Sequence, residues 1–199
     1  MNSTHYYTNN RDLPSKIRTI KYTYNKHELT LLSDNGVFSN DRVDFGTNVL
    51  LNALEFPNEN FKLLDLGCGY GIIGIAVAKA FPNAQVLMSD VNDRAIELTN
   101  SNIVKNNVKA SSKISYLFDN IAEMFDMIVT NPPIRAGKAV VHGMIEQGYS
   151  HLNPNGEFWA VIQKKQGAES FIKKMKELFT EVITVDKING YYILRGIKS

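Results

Sequence analysis

The segment from Asp65 to Gly71 combines residue types that suit a binding loop for a nucleotide-like ligand. It continues the apolar run Leu63–Leu66 and contains three glycines, which allow a sharp turn and a close approach of backbone to ligand. Asp90 ends a second apolar run about 20 residues later, where an acid can bind ribose hydroxyls. Because Gly69–Gly74 also satisfies the Gly-x-Gly-x-x-Gly dinucleotide fingerprint, the loop alone leaves NAD open as its ligand.

A second segment, Asn131-Pro132-Pro133, follows the apolar run Phe125–Thr130 and has the properties of a rigid turn. Proline fixes its own φ and restricts the preceding residue to extended geometry. Such a turn presents two acceptors, the Asn131 side-chain oxygen and the Pro132 carbonyl, to the hydrogens of one amine. An amine on a base or an amide is a poor nucleophile because its lone pair is delocalised, and two fixed acceptors favour a pyramidal nitrogen. The turn therefore predicts group transfer to such a nitrogen.

The elements that must position both segments are indicated by periodicity. From Phe61 onward, short apolar runs alternate with helix-length segments, which predicts βαβ units on a parallel sheet with ligands at the carboxyl ends of its strands. The connection Asp186–Gly190 is too short for a helical crossover, so the sheet is expected to end in an antiparallel strand. We expect strands at 62–65, 85–90, 114–117, 125–130, 156–162, 181–187 and 191–196, helices at 46–54, 72–80, 92–106, 137–152 and 168–179, and an N-terminal β-hairpin at 17–24 and 28–33.

Length and composition indicate a single domain over residues 1–199, with a loose tail at 1–13, a β extension at 14–45 and a catalytic core at 46–199. A net charge of +2 permits a nucleic-acid partner without requiring one. The single cysteine, Cys68, excludes an internal disulfide and a cysteine-type zinc site, and we expect no metal. With no apolar run typical of a signal peptide or a membrane span, the protein is expected to be cytoplasmic, without a membrane partner.

The order Asp65-x-Gly67-x-Gly69 resembles motif I of class I S-adenosylmethionine-dependent methyltransferases. The octapeptide Asn131–Lys138, Asn-Pro-Pro-Ile-Arg-Ala-Gly-Lys, resembles one branch of the small-subunit (16S) rRNA guanine-N2 methyltransferases, and the segments at 36–47 and 162–168 are similar to the same family. The resemblance implies a Rossmann-like α/β fold whose seven-stranded sheet is mostly parallel with an antiparallel C-terminal strand. It also implies S-adenosyl-L-methionine as cofactor, a guanine in 16S rRNA as target, and ribosomal RNA or the small ribosomal subunit as partner.

The same resemblance assigns roles to individual residues. The target amine is held by Asn131, Pro132, Pro133 and Ile134. Cofactor roles fall on Asp65, Gly67, Cys68, Gly69, Gly71, Asp90, Val91, Tyr116, Leu117 and Asn131, and on the upstream residues Phe38, Asp44, Gly46 and Thr47. For the upstream residues, a turn and helix cap is an equally good interpretation. Arg135 and Lys138, beside the target turn, are expected to contact RNA. The basic residues and tyrosines of segment 1–30, such as Tyr22 and Tyr24, suit either RNA or a solvated edge strand.

Two positions depart from the family pattern. Tyr116 stands where an Asp or a small polar residue usually contacts adenine, so Asp119 or Asn120 is an alternative for that contact. Ile134 stands where an aromatic residue usually stacks on the target. Other functions therefore stay open: the same cofactor with adenine N6 or a protein glutamine amide as target, an NAD-linked oxidoreductase, and a non-catalytic binding module in ribosome assembly.

Overall fold

The computed structural model describes residues 14–37, 42–57 and 60–199. No helix in these ranges is long and apolar enough to cross a membrane. The strands are β1 (Arg18–Tyr24), β2 (His27–Ser33), β3 (Lys62–Leu66), β4 (Gln85–Asp90), β5 (Ala110–Ile114), β6 (Phe125–Thr130), β7 (Leu152–Gln163), β8 (Glu181–Ile188) and β9 (Tyr191–Ile197). The helices are α1 (Phe45–Ala53), α2 (Ile72–Ala80), α3 (Asp93–Asn106), α4 (Lys138–Ser150) and α5 (Ala168–Leu178), with 3-10 turns at Ile134–Ala136 and Lys164–Gln166.

Seven strands form one sheet in the order β5-β4-β3-β6-β7-β9-β8. Strand β9 runs antiparallel to both of its neighbours, and the other neighbouring pairs are parallel, which confirms the predicted sheet and its antiparallel C-terminal strand. The strand order reverses between β3 and β6, and such a switch point opens a crevice at the carboxyl edge of a sheet. The glycine loop after β3 and the Asn-Pro-Pro turn after β6 therefore lie side by side.

Alternate residues of the central strands face opposite sides of the sheet, so their apolar side chains form two cores. Leu63 and Val129 belong to the core beneath α1, α2 and α3, and Leu64 and Ile128 to the core beneath α4 and α5. All four side chains are fully buried. Burying such a side chain stabilises the fold by about 1.5–3 kcal/mol, so the strand ends that carry the loop and the turn are firmly held.

Strands β1 and β2 form a separate antiparallel hairpin, as predicted. It packs on α3 through two side-chain amides one helical turn apart. Asn102 Oδ1 accepts from Leu32 N–H at 2.7 Å while its Nδ2 donates to the Leu32 carbonyl at 2.9 Å. Asn106 makes the same pair of bonds with Thr30, both at 2.9 Å. The backbone groups at one edge of β2 are thus satisfied by amide side chains in place of a further strand.

The hairpin tyrosines face α1. The Tyr22 hydroxyl donates to Asn48 Oδ1 at 2.9 Å, and the buried Tyr24 hydroxyl donates to the Leu51 carbonyl at 3.3 Å. Burial raises the pKa of Tyr24 to about 12. The interpretation of the hairpin as a base-stacking platform is therefore wrong for Tyr24, whose ring belongs to the core.

The predicted third strand at 114–117 is also wrong, because the strand in this position, β5, ends at Ile114. Residues 115–120 form a turn in which the Ser115 hydroxyl donates to the Leu117 carbonyl at 3.0 Å and accepts from Asn120 N–H at 3.1 Å. Leu117 has a φ of +47°, which a strand does not permit. The apolar residues of this segment therefore belong to a turn, and the strand consists of the mostly polar run Ala110–Ile114 before it.

Candidate active site

A cavity of about 800 Å³ opens at the carboxyl edge of the sheet. This volume lies in the usual range of small-molecule sites. Its walls include Gly67–Tyr70 of the glycine loop and Asn131–Ala136 of the Asn-Pro-Pro turn. The Thr130 hydroxyl donates to the Leu66 carbonyl at 2.7 Å, which joins the end of β6 to the start of the glycine loop. One buried hydrogen bond thus sets the spacing of the two predicted segments.

Backbone hydrogen bonds fix the glycine loop on the end of β4. The N–H groups of Gly67 and Cys68 both donate to the Ser89 carbonyl, at 2.8 and 2.9 Å. The Gly69 N–H donates to Asp90 Oδ2 at 2.9 Å. The three glycines of the loop have φ between +57° and +89°, where any other side chain is strained. The loop therefore owes its course to glycine at each of these positions.

Asp65 lies at the end of β3, beneath the loop, and is almost fully buried. Its Oδ2 accepts from Gly74 N–H in the first turn of α2 at 2.9 Å. Burial raises the pKa of Asp65 to about 7 against the opposing effect of this hydrogen bond, and the neighbouring Asp90 raises it further. Asp65 thus braces the loop and the helix together, and its charge is costly in the folded protein.

Asp90 uses both carboxylate oxygens to hold backbone, since its Oδ1 accepts from Asn92 N–H at 2.9 Å while Oδ2 holds Gly69. Burial raises the pKa of Asp90. The carboxylate has four lone pairs in all and so retains capacity to accept from a ribose hydroxyl. Burial also raises the pKa of the Cys68 thiol, so this thiol stays protonated near neutral pH and is a poor nucleophile.

The cavity fits the cofactor that the sequence resemblance implies. A Cβ at Gly67 would meet a single side-chain atom, Met144 Cε, at 3.7 Å, and a Cβ at Gly69 would meet only Val37 Cγ1 at 3.7 Å. Both glycines therefore leave the backbone open to the cavity. The buried Ser89 hydroxyl lies on the same cavity and has no hydrogen-bond partner among the described residues. An open backbone cradle, a ribose-binding acid and an unused hydroxyl suit a cofactor with a ribose and an amino-acid end.

The predicted cofactor residues divide into three groups. Those that line the cavity are Asp44, Thr47, Asp65, Gly67, Cys68, Gly69, Asp90, Val91, Tyr116, Leu117 and Asn131. Gly46 and Gly71 support the site from behind, and Phe38 lies outside the described residues. Within the described ranges no cluster of three or more His, Cys, Asp or Glu side chains is arranged to hold a metal.

The turn after β5 contributes the wall on which an adenine contact was expected. Tyr116 is half exposed and lines the cavity with Leu117. The buried Ser115 lines it as well and was not predicted. Asp119 and Asn120 are not among the lining residues, and the Asn120 amide donates to the β5 backbone at 2.9 Å. Tyr116 and Leu117 are therefore better placed to contact adenine than Asp119 or Asn120.

Asn131 is held from the side of α1. Its Nδ2 donates to Thr47 Oγ1 at 3.0 Å and lies 3.4 Å from each carboxylate oxygen of Asp44. The turn then closes into a 3-10 turn, in which Ala136 N–H donates to the Pro133 carbonyl at 2.8 Å. Pro132, Pro133 and Ile134 line the cavity beside Asn131, so the predicted target turn forms one continuous wall.

Asp44 and Gly46 explain how α1 reaches the site. Asp44 caps the helix, with Oδ1 accepting from Thr47 N–H at 3.2 Å. A Cβ at Gly46 would lie 3.0 Å from the Tyr191 ring and 3.1 Å from Asp44 Oδ1, so glycine permits this close packing. The helix-cap interpretation is therefore confirmed, and the same cap places Asp44 and Thr47 on the cavity wall.

The two residues expected to contact RNA take different positions at the cavity. Arg135 lines it, but Lys138, the first residue of α4, is exposed and lies outside the lining. Gln163, Gln166 and Tyr191 line it without having been predicted. The two glutamines lie in the segment at 162–168 that resembles the rRNA methyltransferases, and that signal was sufficient to find them. Tyr191 reaches the site through the pairing of β9 with β7, where it stands opposite Gln163, and no local pattern indicates this.

Comparison with known proteins shows the family to which the chain belongs. The model of the methyltransferase small domain family matches residues 28–195. The uncharacterized protein YbxB of Bacillus subtilis is 46% identical over 98% of this chain and 99% of its own length. The ribosomal RNA small subunit methyltransferase C of Pasteurella multocida is 36% identical over 65% of this chain, and the match spans 40% of that enzyme.

One solved structure shares the fold closely. It is the 16S rRNA N2 G1207 methyltransferase (RsmC) of Thermus thermophilus, in complex with AdoMet and guanosine. The two structures superpose with a TM-score of 0.83 and 27% sequence identity, and the match covers 94% of this chain and 52% of that chain. A Pyrococcus furiosus methyltransferase with a TM-score of 0.65 and 21% identity shows the fold alone. The family match and these relatives establish that the chain belongs to the methyltransferase small domain family, as a class I S-adenosylmethionine-dependent methyltransferase of the RsmC-like type.

Proposed function

We propose that this enzyme methylates the exocyclic N2 of a guanine in 16S ribosomal RNA, with RNA or the small ribosomal subunit as its partner in the cytoplasm. The observation that carries the proposal is the Asn131–Ile134 turn on the cavity wall beside the glycine loop. Its octapeptide resembles the guanine-N2 branch, and the RsmC structure that superposes on this chain holds guanosine.

The turn supplies what a guanine amine needs. The lone pair of N2 is delocalised into the ring, so the nitrogen must become pyramidal before it can attack. Asn131 Oδ1 and the Pro132 carbonyl accept its two hydrogens and favour that geometry. When bound along the glycine loop and Asp90, the cofactor would supply an electrophilic methyl on a sulfonium. The N–C bond would form as the S–C bond breaks to leave a neutral thioether, and the proton lost by N2 would pass to water. No strong base is needed before attack, which agrees with a cavity whose thiol stays protonated and whose acids hold backbone.

Other residues of the cavity lining suit contact with an exposed RNA base. Gln163, Gln166 and Tyr191 line the same cavity as the Asn-Pro-Pro turn and combine amide hydrogen-bonding groups with an aromatic ring. Amides and aromatic rings read and stack exposed bases in RNA sites. Arg135 in the same lining provides a cation for phosphate.

The test is methyl transfer from tritiated S-adenosylmethionine to small subunits and 16S rRNA of a strain that lacks the gene. Digestion to nucleosides is expected to place the label in N2-methylguanosine, and label in N6-methyladenosine or in protein would refute the proposed target. Asn131→Ala is expected to lower the rate by about a hundredfold or more, as for loss of a well-placed polar group. Calorimetry is expected to show that this variant still binds the cofactor, with a loss of affinity much smaller than the loss of rate. Undiminished transfer by Asn131→Ala would show that the amine clamp is wrong.

A further inference from the structure

The side-chain amide of Asn131 has a defined orientation in this structure. Three acceptor atoms surround one of its ends: Thr47 Oγ1 at 3.0 Å and both carboxylate oxygens of Asp44 at 3.4 Å. An ionised carboxylate only accepts hydrogen bonds, so the NH2 group must occupy this end of the amide. A flipped amide would place its own oxygen against the carboxylate. The pairing therefore leaves Oδ1 at the opposite end, where no described residue donates to it.

The two acceptors are themselves fixed by the start of α1. Asp44 Oδ1 accepts from Thr47 N–H at 3.2 Å, and the Asp44 carbonyl accepts from Asn48 N–H at 3.0 Å. The Thr47 side chain is buried. Close packing of Gly46 against Tyr191 holds this first turn in place. A helix cap thus serves as a rigid support for a residue 87 positions later in the sequence.

We propose that Asp44 and Thr47 are positioning residues for methyl transfer: they hold the NH2 of Asn131 toward α1 and so aim its Oδ1 at the target amine. The inference rests on the function proposed above, in which Oδ1 accepts a hydrogen from that amine. With the amide reversed, two NH2 groups would face each other and the nucleophile would lose an acceptor. A hydrogen bond from Nδ2 to a carboxylate also polarises the amide and strengthens Oδ1 as an acceptor.

This role differs from the cofactor contact that the family resemblance implies for the same residues. A cofactor contact affects binding of S-adenosylmethionine, whereas a positioning residue affects turnover. Thr47→Val removes the hydroxyl at nearly constant shape. It is expected to lower kcat by about tenfold or more, as misplacement of a catalytic group does, with little change in the Kd of S-adenosylmethionine. Thr47→Ser keeps the hydroxyl and is expected to recover most of the lost turnover. A loss confined to cofactor affinity would overturn the proposal.

A charge exchange makes the test sharper. Asn131→Asp places two carboxylates where the present contacts are 3.4 Å, and like charges so close repel. Adding Asp44→Asn restores a pair of one amide and one carboxylate. The amide now stands at position 44 and donates to the carboxylate at position 131, so the two groups have exchanged places. The double variant is therefore expected to be at least about tenfold more active than Asn131→Asp alone, a coupling that residues in contact show. A double variant no better than the single one would overturn the pairing.

An activity-independent measurement separates this inference from the proposed function. The side-chain NH2 signals of Asn131, assigned by their loss in Asn131→Ser, are expected to shift in Thr47→Val and Asp44→Asn. They are expected to stay in place in Thr23→Val, a matched change on the exposed face of β1. Unmoved signals in the first two variants would overturn the pairing whatever the enzyme methylates. Shifted signals in an enzyme that leaves guanine unmodified would overturn the proposed target instead and leave the amide orientation standing.

Discussion

Replacing Asp65 by Asn tests whether the glycine loop is built over an unfavourable charge. Asp65 is buried beneath the loop, and burial raises its pKa from 3.8 to about 7. An acid with a raised pKa binds its proton more tightly in the folded state than in the unfolded state. The contribution of Asp65 to the stability of the folded protein is therefore expected to fall as the pH rises from about 4 through 7, and to level off above that range.

The size of the effect follows from the same pKa change. One pKa unit is worth about 1.4 kcal/mol, so the change from 3.8 to about 7 destabilises the ionised folded protein by about 4 kcal/mol at most. Linkage places about 2–3 kcal/mol of this between pH 5 and pH 8. Asn still offers an oxygen to Gly74 N–H, while its buried NH2 costs about 1–3 kcal/mol at every pH. The cost of the Asp65 charge is therefore measured only by the part of the difference in unfolding free energy, variant against wild type, that changes with pH.

Urea unfolding of the cofactor-free protein across this pH range measures that part. The free energy of unfolding of Asp65→Asn minus that of the wild type is expected to rise by about 2–3 kcal/mol from pH 5 to pH 8. Asp186→Asn, on an exposed position of β8, is the matched control for loss of a surface carboxylate. A constant difference for Asp65→Asn would refute the reasoning that Asp65 is charged at a cost.

Three further changes probe the packing of the site. Gly74→Ala would place a Cβ 2.4 Å from Met88 Cγ, so it is expected to lower the free energy of unfolding by about 1–3 kcal/mol; an unchanged denaturation midpoint would contradict this packing. Asn102→Ala leaves Leu32 N–H without its partner and is expected to cost about 1–3 kcal/mol. In this variant the backbone amide of Leu32 is expected to exchange its hydrogen faster than the backbone amides of β3. Equal protection of these amides would count against the bond between Asn102 and Leu32. Tyr191→Leu is expected to raise KM for RNA and to leave the Kd of S-adenosylmethionine unchanged. A change in the cofactor Kd alone would show that the Tyr191 ring contacts the cofactor and not the RNA.

The sequence predicted elements correctly where local pattern and tertiary burial agree. The bounds of Ile72–Ala80, Gln85–Asp90 and Phe125–Thr130 are as predicted, because each is a buried apolar run between turn-forming residues. Strand β5 was missed because its sequence, Ala-Ser-Ser-Lys-Ile, has little strand preference of its own. Its extended form comes from pairing with β4, where Ala110 stands opposite Val86. Tertiary context overrode local composition at this edge.

The site shows the same division. The glycine loop and the Asn-Pro-Pro turn were predicted because glycine and proline act on the backbone at their own positions. The contacts of Asn131 with Asp44 and Thr47 join residues more than 80 positions apart, and no spacing rule indicates them. Tyr191 likewise enters the site through sheet register. Sequence patterns indicate which chemistry is present, whereas packing decides which side chains support it.

Helix α3 connects the N-terminal hairpin to the cofactor site, and this gives the hairpin a role other than RNA binding. Asn102 Nδ2 donates to the Leu32 carbonyl of β2 and to the Tyr70 carbonyl of the glycine loop, both at 2.9 Å. One turn before it, the Thr99 hydroxyl donates to the Gly69 carbonyl at 3.0 Å. Val37, just after the hairpin, lines the cavity itself. Because one helix face holds both the loop and the hairpin, loosening the hairpin with Asn106→Ala, which removes its two bonds to Thr30 and leaves the bond of Asn102 to the loop in place, is expected to weaken S-adenosylmethionine binding in calorimetry. An RNA-binding appendage would leave that binding unchanged.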